Sequence, residues 1–417
     1  MLFFKSIVNN GSVNSHPLSS LIILLICLHI TSFTCMATET GDINNDGNVD
    51  LSDVILALQV SSGLQPDGVN VDGDVNSDGC ISIVEAIYDL QKVSKGKEWL
   101  YTQNNHIYKT DGTIWAGRGV NIHDTRSCNA CTASAPNVAE VKRRIDQAVD
   151  VWHADFLRLT LESYDTASTY RAHWQDLLHD PEYLADVVEI VDYIGEKENV
   201  YVLVSLWVDP SFNNQGWPTA DTIEVWKVLS AALYGKPHVL FGLVNEPQAN
   251  YSGSQDPQVW TAMNNTVAAI RQIENGLPGD YHHIITVQGT RSWARILTYY
   301  ITHPITAGNG VNIAYETHVY DPQSTFNNRF IVPSQTLPVI IGEFGYVTGV
   351  ANMSLADCTK LMDEAENRNI PYLAWTFHQR CDPSLLVDYT HNCGVNMNLT
   401  PSSGWGELIF NRLSAGY

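Results

Sequence analysis

Basic residues are scarce in this chain, and so are long apolar runs. It has 23 Lys and Arg against 45 Asp and Glu among its 417 residues, a formal net charge of −22. Such a charge disfavours binding to nucleic acid or to anionic membranes and suits a soluble protein that handles neutral or cationic material. Beyond residue 30 no segment is long and apolar enough to span a membrane. The apolar fraction of 44% supports a core, and the length gives room for one large and one small domain.

The strongest apolar stretch is close to the N-terminus, at residues 21–30. It is too short for a comfortable membrane span but fits the apolar region of a signal peptide. Cys35 and Ala37 supply the small residues that a cleavage site requires. We therefore predict a signal peptide at residues 1–37, a secreted protein, and no membrane attachment after cleavage. A retained membrane anchor is the alternative.

An acidic segment occurs twice after this leader. GDINNDGNVDLSD (41–53) recurs 32 residues later as GDVNSDGCISIVE (73–85). Each copy fits the twelve-position calcium loop, in which oxygen ligands alternate along the chain and a glycine makes the sharp turn. The predicted calcium ligands are Asp42, Asn44, Asp46, Asn48, Asp50 and Asp53 in the first loop, and Asp74, Asn76, Asp78, Cys80, Ser82 and Glu85 in the second, with Asn48 and Cys80 contributing main-chain carbonyls.

Two such loops, each followed by an apolar helix, resemble a type I dockerin over residues 41–94. The resemblance implies a small α-helical domain at residues 38–96, structural Ca²⁺ and a cohesin partner on a scaffold protein. Many dockerins carry Lys or Arg at helix positions where this chain has Leu58-Gln59 and Leu90-Gln91. A purely structural calcium module is therefore the alternative.

From residue 98 onward, apolar runs alternate with amphipathic helical stretches. The predicted strands are residues 117–122, 155–161, 200–207, 239–246, 282–289, 312–320, 337–345 and 371–377. Eight βα units predict an α/β fold, a (β/α)8 TIM barrel spanning residues 98–417, with the active site at the C-terminal ends of the strands. The segment YTQNNHIYKTDGT before the first strand predicts a hairpin that closes the other end.

Two glutamates follow apolar runs of this barrel, Glu246 after VLFGLVN and Glu343 after LPVIIG. Isolated buried carboxylates are costly, so a pair of them at strand ends indicates chemistry. Glycoside hydrolysis needs such a pair, one as acid/base and one as nucleophile. Glu343, as an ionised nucleophile, needs a low pKa, which Arg158 and Tyr320 can supply. Glu246 must hold a proton before the first step.

Other residues at the strand ends fit the same chemistry. His318 can tune either glutamate, Asn245 can bind a sugar 2-hydroxyl, and Trp375 offers a face for a sugar ring. In loops, His123, Trp217 and Trp293 either contact substrate or pack the loops. The alternative from another class of function is a non-catalytic barrel that binds polysaccharide without cleaving it.

Four motifs on the fourth, sixth, seventh and eighth predicted strands, NEP, HVY, GEFG and AWTF, together resemble family-five glycoside hydrolases over about residues 98–417. The resemblance implies retaining hydrolysis without a cofactor, with Glu246 as acid/base and Glu343 as nucleophile. It also implies active-site positions for Arg158, Asn245, His318, Tyr320 and Trp375. Cellulases of this family often have His at the end of the third strand, where this chain has Trp207. Trp207 therefore points toward β-1,4-mannan, whereas the segment HVYDP (318–322) points toward cellulose-like β-1,4-glucan. We expect glucan as the first candidate substrate and mannan as the second.

Six cysteines lie outside the leader. Cys128 and Cys131 follow the first predicted barrel strand, and Cys381 and Cys393 follow the last. The ends of these strands are neighbours in a closed barrel, so the four sulfurs can form two disulfides, which secretion permits. A zinc site formed by the same four cysteines is the alternative. The pairing stays open, and Cys80 and Cys358 have no obvious partner.

Overall fold

The computed structural model of the chain describes residues 40–47, 49–94, 97–123, 137–161, 177–207, 216–291, 293–349, 352–387 and 396–415. The chain divides into two compact units, one ending at Ser94 and the other beginning at Lys95. Within the described ranges, no helix combines the length and the apolar character that crossing a membrane requires. Each unit is described separately below.

The smaller unit contains two helices, α1 (Leu51–Ser61) and α2 (Ile83–Ser94), and a 3₁₀ turn at Val71–Gly73. Asp50 begins α1 because its side chain accepts from the Ser52 amide and the Asp53 carboxylate returns to the Asp50 amide, a capping box. A small apolar core holds the unit together and consists of Ile43, Ala57, Ile81 and Ala86. The repeated acidic loops therefore each lead into a helix, as the sequence predicts.

The larger unit begins with a hairpin of β1 (Leu100–Gln103) and β2 (His106–Lys109), followed by a closed barrel of parallel strands. The barrel strands are β3 (Arg118–His123), β4 (Phe156–Leu161), β5 (Tyr201–Leu206), β6 (Val239–Gly242), β7 (Ile285–Gln288), β8 (Ile313–Val319), β9 (Val339–Phe344) and β10 (Tyr372–Ala374). Each predicted apolar run overlaps one of these strands, and β10 closes the barrel on β3. The fold is a (β/α)8 barrel.

Helices follow the strands and cover the barrel. They are α3 (Val138–Asp146), α4 (Pro181–Glu196), α5 (Ala220–Ala232), α6 (Asp256–Gly276), α7 (Thr298–Thr302), α8 (Leu355–Asn367) and α9 (Trp405–Ser414), with short 3₁₀ or π turns at Gln147–Val151, Ala307–Gly310, Gln323–Thr325, Asn327–Ile331 and Pro333–Gln335. Helix α4 shows why they form: Asp180 caps its first amides, Pro181 occupies its first turn, and Val187, Val191 and Ile194 give it a buried stripe.

The hairpin closes the N-terminal end of the barrel. Leu100 and Ile107 of the hairpin belong to one buried apolar cluster with residues near the beginnings of the strands, including Phe156 and Tyr201. This confirms the predicted plug. The opposite end, at the C-terminal ends of the parallel strands, carries polar residues, and the candidate site lies there.

Candidate active site

Arg158 on β4 lies at the centre of the C-terminal end of the barrel and is fully buried. Its guanidinium donates four hydrogen bonds: Nη1 to Asn121 Oδ1 (3.0 Å) and Glu343 Oε1 (2.8 Å), and Nη2 to Ser205 Oγ (3.0 Å) and Asn245 Oδ1 (2.7 Å). A planar group with five donors can hold several acceptors in fixed directions at once. Arg158 therefore fixes one oxygen of Glu343 and the side-chain orientation of Asn245.

Glu343 is aimed into the barrel by an irregularity in β9. Thr317 of β8 pairs with Ile341, but the next residue, His318, pairs with Glu343, so Gly342 is an extra residue in the ladder. Such a bulge bends a strand and redirects the neighbouring side chain. The second Glu343 oxygen, Oε2, accepts a hydrogen bond from the Tyr320 hydroxyl at 2.9 Å. Both oxygens of Glu343 thus have defined partners.

Glu246 lies four residues beyond the end of β6, not at the strand end that the sequence suggested. It has a positive φ of 52°, which residues with a Cβ rarely adopt. Its amide donates to Gln288 Oε1, and its Oε1 lies 2.9 Å from His318 Nδ1. The Glu246 side chain is 18% exposed and that of Glu343 is 4% exposed, so Glu246 is the more accessible of the two.

His318 is held between carboxylates on both sides of its ring. Nε2 lies 3.0 Å from Glu316 Oε1, while Nδ1 lies 2.9 Å from Glu246 Oε1 and 3.4 Å from Glu343 Oε2. Burial lowers the pKa of His318, but the charge of Glu343 and hydrogen bonds to Glu246 and Glu316 outweigh burial and raise it to about 9. At neutral pH the ring is therefore an imidazolium that donates from both nitrogens.

The pKa of the Glu343 carboxyl is raised, with burial as the largest cause and the negative charge of Glu246 acting in the same direction. His318, Arg158 and the Tyr320 hydroxyl all lower it. Arg158 and Tyr320 contact Glu343 as expected, but the expectation of a depressed pKa was wrong because burial outweighs them. The three cationic or hydrogen-bonding partners are what oppose protonation of Glu343 in this buried position.

The two glutamates are close together. One oxygen of Glu246, one oxygen of Glu343 and one nitrogen of His318 all lie within 4.8 Å of one another. Retaining glycosidases have their two carboxyl groups about 5–5.5 Å apart, and inverting enzymes need about 6.5–9.5 Å to admit a water. A separation of at most 4.8 Å between these oxygens is shorter than the inverting range and fits the retaining arrangement.

A cavity of about 350 Å³ opens above these residues. Its lining consists of His123, Trp207, Glu246, Trp293, Arg295, Tyr320, Glu343, Trp375, Arg380, Cys381 and Asp382. The rings of Trp207 and Trp375 are tilted by 52° with their centroids 5.2 Å apart, and the His123 ring lies 5.5 Å from that of Trp375. Aromatic walls beside polar groups suit a sugar, whose rings have apolar faces and hydroxyl edges. Trp217, in contrast, is buried in the apolar core and packs its loop.

The structure brings together the eight residues that the sequence singled out for this site: Glu246 and Glu343 with Arg158, Asn245, His318 and Tyr320 by hydrogen bonds, and Trp207 and Trp375 on the cavity wall. Sequence reasoning missed Glu316 and Gln288. A signal for Glu316 was present, because in a strand Glu316 shares the face of His318 two residues later. Gln288 ends an apolar run, as the two glutamates do.

Of the four cysteines predicted to form disulfides, Cys381 lies among the described residues. Cys381 is disulfide-bonded, which agrees with a bridge and not with zinc at this residue. Cys128, Cys131 and Cys393 lie outside the described residues, so the pairing stays a prediction. Cys80 is a free, exposed thiol and Cys358 a free, buried one.

The acidic loops of the smaller unit fit calcium chemically. Asp42 Oδ2 accepts from the Gly47 amide at 3.0 Å and Asp74 Oδ2 from the Gly79 amide at 2.6 Å, so each loop is folded back on its first carboxylate. Glu85 is 0% exposed, and its Oε1 has no hydrogen-bond partner among the described residues. A buried carboxylate oxygen without a donor is what a cation ligand presents. Asn48 lies outside the described residues.

The family described as cellulase (glycosyl hydrolase family 5) matches residues 116–380. A comparison with curated protein sequences found no match. The family match therefore places the chain.

Solved structures share the barrel. A β-glucanase from Saccharophagus degradans in complex with cellotetraose is 17% identical, with a TM-score of 0.57 over 76% of this chain and 94% of that one. The catalytic domain of an endoglucanase from Thermobifida fusca is 17% identical, with a TM-score of 0.57 over 77% of this chain and 98% of that one. A β-mannanase from Streptomyces thermolilacinus with mannohexaose is 17% identical, with a TM-score of 0.53 over 75% and 93%. At these identities the likeness concerns the fold.

Proposed function

The chain belongs to glycosyl hydrolase family 5, and on that premise we propose that it is a secreted, retaining endo-glycosidase of β-1,4-linked plant polysaccharide. Cellulose-like β-glucan is the first candidate substrate. That the chain is a glycoside hydrolase follows from the family; the substrate, the mechanism and the residue roles are the proposal.

In the proposed first step, Glu343 attacks the anomeric carbon and Glu246 donates its proton to the departing glycosidic oxygen. A covalent glycosyl-enzyme forms and the leaving sugar departs with its new hydroxyl group. In the second step the ionised Glu246 takes a proton from water, which displaces Glu343 and leaves the anomeric configuration as it was. Asn245, held by Arg158 at 2.7 Å, is oriented to meet the sugar 2-hydroxyl.

The short distance between the two carboxylates carries this proposal. Oxygens of Glu246 and Glu343 within 4.8 Å of each other leave no room for a water between glutamate and sugar, which inversion would require. The contacts of Glu343 with Arg158 and Tyr320 support the nucleophile role, because both favour the ionised form. The greater exposure of Glu246, which lines the cavity, supports the proton-donor role.

Mannan remains the second candidate for the backbone sugar, since Trp207 follows β5 where many cellulases of the family have His. The wall that Trp207 and Trp375 form borders the place of the cleaved sugar and is where the two substrates would be told apart. A non-catalytic carbohydrate-binding barrel is the competitor from another class. The complete set of contacts around both glutamates favours catalysis.

The test is hydrolysis of soluble β-glucan, glucomannan, galactomannan and xylan by the full chain, beside a Glu246→Ala variant. We expect cleavage of β-glucan, with loss of most activity in the variant and a larger loss for poor leaving groups, which need the proton. Cleavage of galactomannan alone would replace glucan by mannan. Binding to polysaccharide without cleavage of any of the four would favour the binding protein.

We also propose that the smaller unit binds two Ca²⁺ ions and docks the enzyme to a partner protein, a cohesin by the resemblance. The calcium proposal is supported by the repeated loops and by the unpartnered Glu85 Oε1. Docking is supported by exposed apolar side chains at helical spacing, which include Leu51, Ile55 and Leu58 on α1 and Ile83, Ile87 and Leu90 on α2. Apolar helix stripes open to solvent are typical of protein-binding surfaces.

A further inference from the structure

Glu316 is a fully buried carboxylate that no step of the proposed mechanism uses. It lies on β8, two residues before His318. Burial alone would raise its pKa, but the charge of Arg158 and the hydrogen bond with His318 outweigh burial and lower the pKa to about 2. Glu316 is therefore ionised at every pH at which such an enzyme works, in a place where an unused charge would be costly.

Three hydrogen-bonding side chains and one ion-pair partner surround this carboxylate. Thr286 Oγ1 donates to Oε2 at 2.7 Å, and around Oε1 lie Gln288 Nε2 at 3.1 Å, His318 Nε2 at 3.0 Å and Arg158 Nε at 3.2 Å. The backbone also makes room for it. A Cβ on Gly342, the residue before Glu343, would lie 2.1 Å from Glu316 Oε1. The bulge at Gly342 thus aims Glu343 and admits Glu316 at the same time.

Three of these four side chains also contact one of the two catalytic glutamates. His318 presents its other nitrogen to Glu246 Oε1 at 2.9 Å. Gln288 accepts the amide hydrogen of Glu246, the residue with a positive φ. Arg158 donates to Glu343 Oε1 at 2.8 Å. Through these three residues, the Glu316 carboxylate orients the side chain and backbone of Glu246 and the side chain of Glu343.

We propose that Glu316 is a positioning residue for Glu246 and Glu343, acting through His318, Gln288 and Arg158, and that its negative charge sets the pH range of the reaction. This inference deepens the proposed function and rests on the roles given there to the two glutamates. It assigns no contact with substrate to Glu316.

The direction of the pH effect follows from the charges around His318. Among the described residues, the charged or titratable groups that face this cluster are Arg158 from β4, Glu246 after β6, Glu316 and Tyr320 from β8 and its end, and Glu343 from β9. Removing the negative charge of Glu316 makes loss of every remaining proton in the cluster easier. Both limbs of the pH–rate profile must then move to lower pH, whichever group loses its proton first.

The experiment compares pH profiles of kcat/KM for the unmutated protein and Glu316→Gln on the best substrate from the panel above. We expect the alkaline limb to move to lower pH by about one unit or more, and the optimum rate to fall at least about tenfold. Glu316→Asp keeps the negative charge on a shorter side chain. The limbs of its pH–rate profile should therefore lie close to those of the unmutated protein, while its rate stays low. Thr286→Val, which removes one donor and no charge, is the matched control and should leave the limbs in place.

A loss of rate in Glu316→Gln with both limbs unmoved would overturn the proposal, because a purely structural role predicts that result. If Glu316→Gln does not fold, the Glu316→Asp profile and a measurement on the unmutated protein still test the proposal. With ¹⁵N-labelled histidine, His318, assigned by a His318→Gln spectrum, should be protonated on both nitrogens at pH 7. A neutral imidazole there would refute the proposal even if no tested polysaccharide is cleaved, so the two proposals can fail separately.

Discussion

Because the backbone at Glu246 is left-handed, we predict that glycine at this position gives a more stable protein than alanine, the reverse of the usual order. With φ at 52°, a side chain at this position costs about 1–2 kcal/mol that glycine avoids. Glycine loses about 0.5–1 kcal/mol to the greater freedom of its unfolded chain. The difference leaves Glu246→Gly more stable than Glu246→Ala by about 0.5–1 kcal/mol. Both variants lack the carboxylate, so the comparison isolates the backbone strain.

Urea unfolding followed by tryptophan fluorescence measures this difference. All eleven tryptophans of the chain follow Lys95, so the signal reports the barrel and not the smaller unit. Asn265 in the middle of α6 supplies the matched control, because it is exposed and helical. There, Asn265→Ala should be the more stable of the Ala and Gly pair by about 1 kcal/mol. If Glu246→Ala equals or exceeds Glu246→Gly in stability, the argument from strain is refuted.

Three further outcomes are expected. Glu343→Ala should abolish turnover, and azide should restore it with an inverted glycosyl azide as product; rescue with retention, seen by NMR, would argue against Glu343 as nucleophile. A calcium chelator should unfold the smaller unit, seen by circular dichroism, while barrel activity persists; loss of both together would mean that the units are coupled. The pKa of His318, raised from 6.5 to about 9, means that its charge stabilises the fold fully below pH 6.5 and that this stability is lost as the pH rises through 9. The stability gap between the unmutated protein and His318→Gln should therefore shrink over that range by on the order of 3 kcal/mol, and a gap constant with pH would contradict the assignment.

Much of the barrel could be predicted because its signals are local. Strands that are buried on both faces are read as continuous apolar runs, and the switch to polar residues marks the end at which a barrel carries its site. Glu246 and Glu343 stand out for that reason. The same reasoning placed Glu246 at a strand end, but β6 stops at Gly242. Four residues later the chain adopts a left-handed conformation at Glu246, which apolar patterning does not encode.

The hydrogen-bond network of Glu316 inside the barrel could not be predicted from the sequence, for a physical reason. Gln288 and Glu316 lie on neighbouring strands, 28 residues apart in the chain, and their contact depends on the register of the closed barrel. The role of Gly342 likewise depends on a bulge that only the pairing of β8 with β9 reveals. The pKa of Glu343 had the wrong expected direction because its partners could be named from the sequence, whereas its full burial could not be quantified.

The central claim is retaining hydrolysis by Glu246 and Glu343, and the configuration of the first product tests it most directly. Proton NMR of the anomeric signals, recorded during cleavage of a β-1,4-linked oligosaccharide from the preferred backbone, distinguishes the two outcomes before mutarotation mixes them. We predict that the β anomer forms first and that the α anomer follows only at the rate of mutarotation. An α anomer that appears first would contradict the proposed roles of the two glutamates.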